Sequence, residues 1–91
     1  MANSHALARA NELFNEVDDF TKDDLISALD WARDTLTDHE GSGHQFALTA
    51  HDNQFVCSFA KPQWGGDHST EARSTAPDAI VWAVCTYLAG M

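Results

Sequence analysis

Positive charge is what this sequence has least of: five Lys and Arg stand against 14 Asp and Glu, for a formal net charge of −9 in 91 residues. Binding a nucleic-acid backbone needs clustered Lys and Arg to neutralise phosphates, and holding an anionic membrane surface needs a polybasic segment. Neither fits, so a large partner of this chain should itself be basic. Cysteine is equally sparse. Cys57 and Cys85 are a single pair, too few to staple a small disulfide-dependent domain. Residues 1–20 contain no uninterrupted apolar run behind a basic start, so no signal peptide is read. The two thiols then read as reduced, buried side chains of a cytoplasmic protein. A bridge between them is the alternative, because the strand and the final helix that carry them can pack together. No apolar stretch approaches the roughly 20 residues that span a bilayer, and no repeat or low-complexity tract occurs. What remains is a soluble chain with 44% hydrophobic residues, which suits one domain over residues 1–91 with a modest core.

The elements follow from periodicity. Ala6, Leu7, Ala10, Leu13, Phe14 and Val17 mark one face of a first helix with Asn3 or Ser4 as N-cap. Thr21 to Glu40 reads as a second helix, with Thr21 and Asp24 as a capping box and Leu25, Ile26, Leu29, Ala32 and Leu36 as its core stripe. Asp23, Asp30, Asp34 and Asp38 lie opposite, with Trp31 at the edge, and Gly41 ends it. From His44 to Ala60 the period becomes two. Phe46, Leu48 and Ala50, then Phe55, Cys57 and Phe59, alternate around the turn residues His51-Asp52-Asn53, which predicts a two-stranded antiparallel hairpin. Lys61 to Thr70 reads as a loop around Trp64, broken by Pro62 and Gly65-Gly66. Thr75, Pro77 and Asp78 open a last helix with Ile80, Ala83, Val84, Tyr87 and Leu88 facing the core. Trp82 falls almost opposite that stripe and is expected against another helix or another subunit. The fold class is therefore α+β, expected to be layered helix, sheet, helix.

The run AKPQWGGDHSTEARSTAPDAIVWAVCTYLAG carries a strand end at Ala60, then Ala72, Thr75-Ala76-Pro77 and Ala79-Ile80 opening an Ala-rich helix. This resembles the small phage ABA sandwich domain family over residues 22–90. The resemblance implies helix–sheet–helix layering, a phage or prophage source and an accessory role. It implies no catalytic residues.

Catalytic and metal chemistry find little support. His39 and His44 are five apart with two glycines between them, so they cannot share a helical face as a zinc-protease motif requires; His5, His51, His68, Asp52 and Asp67 do not complete a ligand spacing. No cofactor, metal or enzymatic activity is expected. Two binding readings remain. In the first, residues 1–40 carry ten acids and three bases against four and two in residues 41–91. The carboxylates of Asp23, Asp30, Asp34 and Asp38, joined by Glu12, Glu16 and Asp19 and by an exposed Trp31, imitate phosphates. They would block a basic nucleic-acid-binding host complex of the defence or CRISPR type. In the second, Lys61, Trp64, His68 and Arg73 hold a small nucleotide, with Trp64 as the stacking surface. A virion structural or assembly component is a plainer option. Trp82 and the free hairpin edge both need cover, so a homodimer is expected.

Overall fold

Residues 4–90 are described in a computed structural model; the proposed cap Asn3 lies outside them. The chain runs α1 (Ser4–Glu16), α2 (Asp19–Asp23), α3 (Leu25–Glu40), β1 (Gln45–His51), β2 (Gln54–Ala60), a 3-10 turn (Pro62–Trp64), β3 (Asp67–Ser69) and α4 (Ala76–Ala89). The class is α+β, as expected, with four helices and a three-stranded antiparallel sheet in the order β1-β2-β3.

Two aspartates divide what periodicity joined. The Asp18 carboxylate accepts the Thr21 backbone N–H at 2.7 Å and caps α2; the Asp24 carboxylate accepts the Ser27 N–H at 2.9 Å and caps α3. Thr21 is thus a buried residue inside α2, and the expected continuous helix from Thr21 is interrupted at Asp24, whose backbone is extended. The break moves the start of the long helix to Leu25. Ala28, Ala32 and Leu36 are fully buried, Leu29 and Trp31 pack against them, and Leu25 and Ile26 point out of the core. Small residues at positions 28 and 32 let the backbone of α3 come close to its neighbour, since helix spacing follows the side chains at the contact.

That neighbour is α4. Every residue from Ala79 to Cys85 is buried, and α4 packs against α1, α2, α3, β2 and β3. A helix apolar all round is covered all round. The layering is therefore sheet, α4, then the N-terminal helices, which corrects the expected helix, sheet, helix order. Only one face of the sheet carries a helix. Phe55, Cys57 and Phe59 turn toward α4, while Ala47 and Thr49 are exposed on the far side.

The hairpin forms, but its turn is two residues and not the expected three, because His51 belongs to β1. Asp52 and Asn53 both have positive φ, 48° and 65°, as a turn matching the strand twist requires, and His51 pairs with Gln54. The predicted loop Lys61–Thr70 contains a third strand instead. The 3-10 turn and the left-handed Gly65 (φ 74°) reverse the chain, and Asp67–Ser69 pairs with Ser58–Ala60. Thr75 caps α4 by accepting the Asp78 N–H, as expected. No helix among the described residues is long and apolar enough to cross a membrane.

Candidate partner-binding surface

The acidic residues singled out above are exposed. Glu12 and Glu16 on α1, Asp19 and Asp23 on α2, and Asp30, Asp34 and Asp38 on α3 all face solvent. The α3 column is not free of cations, however. Arg33 Nη1 lies 3.4 Å from Asp30 and Arg33 Nε donates to Asp34 at 3.1 Å, so three neighbouring charges sum to −1. With all three side chains more than half exposed, each pair is worth only about 0–1 kcal/mol. They nevertheless interrupt the phosphate-like ladder that the i, i+4 spacing promised. Lys22 likewise lies 3.7 Å from Asp19. Glu12, Glu16, Asp23 and Asp38 make no salt bridge among the described residues.

Trp31 is half-buried against the core and is not the exposed anchor expected of it. The exposed apolar residues are others. Phe20 is 71% exposed, Ile26 65%, Leu7 49% and Leu25 40%. Ile26 stands one turn before Asp30 on the same face of α3, roughly 5–6 Å away, so the apolar corner runs into the acidic stripe. The expected stripe ran through Leu25 and Ile26, whereas the buried face of α3 centres on Ala28, Ala32 and Leu36 and leaves the helix's first turn outside. The missed signal was the spacing Asp18-x-x-Thr21 and Asp24-x-x-Ser27, two aspartate caps in succession. Hydrogen bonds from the capped backbone hold both carboxyls below their ordinary value, which keeps the corner charged.

The residues of the second reading divide. Trp64 and His68 meet at Phe59 and Lys61 reaches the end of α3, but each is already engaged. Lys61 is buried, and its ammonium donates to the Glu40 carbonyl at 2.7 Å, closing the C-terminus of α3. Trp64 stacks on Tyr87 with centroids 5.4 Å apart. His68 Nε2 lies 3.0 Å from Thr86 Oγ1, whose own proton goes to the Ala83 carbonyl at 2.9 Å. The imidazole is therefore the donor, in its Nε2–H form. Burial pushes its pKa below 6.5. Arg73 is not part of this group. It pairs through its backbone with Phe55, four residues back along β2 from Phe59, a separation of about 13 Å. Its guanidinium bonds Asp78 and covers the Trp82 ring at 4.7 Å.

Trp82 itself is 2% exposed. Its Nε1 donates to Glu71 at 2.6 Å and its ring meets the edge of Phe14 on α1, with centroids 5.7 Å apart. The helix alternative holds, and the assignment of Trp82 to a dimer interface is corrected.

One polar network was not foreseen. Glu40 accepts from His44 Nε2 and from the Tyr87 hydroxyl, both at 2.8 Å, joining the end of α3 to β1 and α4. Burial raises the Glu40 carboxyl, but these two donors outweigh it and leave it below its usual value, while burial and the Glu40 charge push Tyr87 up to about 12. The His44 ring is nearly sealed, its side chain 3% exposed, between Phe59 and Trp64. The arrangement fastens three elements.

Both thiols are buried and free, and burial pushes Cys57 to about 11 and Cys85 to about 12, so neither is a ready nucleophile. Among the described residues no three His, Cys, Asp or Glu gather in a metal-ligand cluster. An open groove of about 700 Å³ lies between the α1 start and the ends of α3 and α4, lined by His5, Arg9, His39 and Leu88, far in sequence from the Lys61–His68 group. No protein-family model, curated protein or solved structure matches this chain.

Proposed function

We propose that the protein acts by binding a basic partner through the outer surface of α1, α2 and α3. The observation that carries this is a coincidence of place. Among the described residues, four of the five exposed large apolar side chains, Leu7, Phe20, Leu25 and Ile26, stand on the same helices as the acid-rich half of the chain. Apolar side chains left in water beside like charges offset no folding cost; against a complementary surface they supply the desolvated centre and the carboxylates supply orientation and rate. A basic nucleic-acid-binding groove of a host complex, of the kind a phage accessory inhibitor would block, is a partner of this chemistry. The Arg33 pairs shift the emphasis from a phosphate-like ladder toward an acidic rim around an apolar patch.

The test is affinity capture from a host lysate at low and high salt, comparing the native chain with Asp23→Asn, Asp30→Asn, Asp34→Asn and Asp38→Asn combined. A nucleic-acid-binding protein held by the native chain, released by salt and lost by the folded variant is the expected result. Capture that the four substitutions leave unchanged would remove the reading.

A further inference from the structure

Phe20, Leu25 and Ile26 fall within seven consecutive residues, and the fold places them outside deliberately in a physical sense. Ile26 lies in the first turn of α3, off the face on which Ala28, Ala32 and Leu36 are fully buried. The Asp18 and Asp24 caps set the starts of α2 and α3, which puts Phe20 in the first turn of one helix and Leu25 and Ile26 in the first turn of the next. Two cap hydrogen bonds therefore hold a large aromatic and two aliphatic side chains at one corner of the molecule.

Around this corner the exposed charges are mainly negative. Asp19 and Asp23 flank it on α2, and Asp30 follows Ile26 by one turn; the nearby cations, Lys22 and Arg33, are drawn to Asp19 and to Asp30 and Asp34. Lys22 is further tied down, donating to the Phe14 carbonyl at 3.2 Å. A second copy of this chain would bring the same acidic rim against itself, which like charges oppose. Complementarity instead calls for large apolar side chains flanked by Lys or Arg.

Resting on the reading above, we infer that the α2–α3 corner is a docking site for a protein segment that presents an apolar anchor between basic residues, with Phe20 and Ile26 as the contact and Asp19, Asp23 and Asp30 as the rim. Such a site keeps part of its affinity when salt screens the charges, because apolar burial is not screened. A site recognising charge alone does not.

Two probes separate these cases: an amphipathic helical Leu/Lys peptide and an oligolysine of equal charge, each titrated by fluorescence anisotropy at low and high salt. The native chain is expected to bind both at low salt and to keep the Leu/Lys peptide at high salt. Phe20→Ser with Ile26→Ser, both at exposed positions and checked for unchanged circular dichroism and melting, should weaken that high-salt binding about tenfold or more, with oligolysine binding unchanged. Equal binding of the two peptides, or a Leu/Lys affinity indifferent to the serine pair, overturns the docking inference. In that event, loss of low-salt binding on replacing Asp23 and Asp30 by Asn leaves the acidic surface standing. Failure of the native chain to bind either peptide overturns both.

Discussion

Glu40 shows how much one side chain holds here. Its carboxylate takes hydrogen bonds from His44 and Tyr87 and its carbonyl takes one from the Lys61 ammonium, so a residue at the end of α3 fixes the start of β1, the end of β2 and the last turns of α4. Bonds to a charged group contribute about 1.5–3 kcal/mol each, and a donor left buried without a partner costs about 1–3. Glu40→Ala should therefore lower stability by about 2–4 kcal/mol in urea unfolding, and Glu40→Gln by less, since it keeps an acceptor for one donor. Acid should act on the same neighbourhood in two stages. Burial holds His68 below 6.5, so its contribution is present above pH 6.5 and is lost as pH falls through its lower folded value. Glu40, held below 4.5 on balance by its two donors against burial, contributes above pH 4.5 and is lost as pH falls through its own folded value. A urea midpoint followed from pH 8 to pH 3 should decline in both windows; His68→Gln should remove the first decline and Glu40→Gln should shrink the second.

At the scale of elements, the packing of α3 against α4 turns on Ala28 and Ala32, both fully buried. Ala28→Leu inserts volume at a fully buried position and should cost about 1–3 kcal/mol, whereas Ile26→Leu on the exposed face should be close to neutral; differential melting of the two variants checks which face of the helix is buried. The start of that helix was the part of the fold least legible in the sequence. Local signals were read correctly where one residue type decides: the Thr75–Pro77–Asp78 start of α4, the Asp52-Asn53 turn and the Gly41 stop all stand where their chemistry put them. Between Asp18 and Ser27, Thr21 and both aspartates are all competent caps, and the choice is made by tertiary burial of Thr21 and Ala28. Strand β3 was hidden for a related reason. Asp67-His68-Ser69 has no apolar alternation, and it pairs because Pro62 and Gly65 turn the chain back along β2. The exposure of Asp30, Asp34 and Asp38 was legible from periodicity, but the Arg33 contacts that thin their charge were read past, although i, i+3 spacing from Asp30 was on view.

For the whole molecule, the uneven charge and the one-sided sheet bear on self-association together. Trp82 no longer asks for a subunit, and β3 covers one flank of the hairpin, but the outer edge of β1 has no strand beside it among the described residues, and Gln45, Ala47, Leu48, Thr49 and Ala50 are exposed. An uncovered edge is a template for another strand. Contact through the helices would set two acid-rich halves against each other, whereas contact through β1 keeps them at opposite ends, with a net of −2 in residues 41–91 of each copy. Antiparallel β1 to β1 pairing, giving one six-stranded sheet across two copies, is therefore the homodimer we expect. Light scattering at micromolar concentration should return twice the 10.0 kDa chain mass. Thr49→Lys, which puts a charge on the shared edge without touching the core, should return the single mass with its melting profile otherwise intact. A native chain that scatters as a monomer would overturn the β1 to β1 pairing, and would leave the helical surface fully available to a basic partner in each copy.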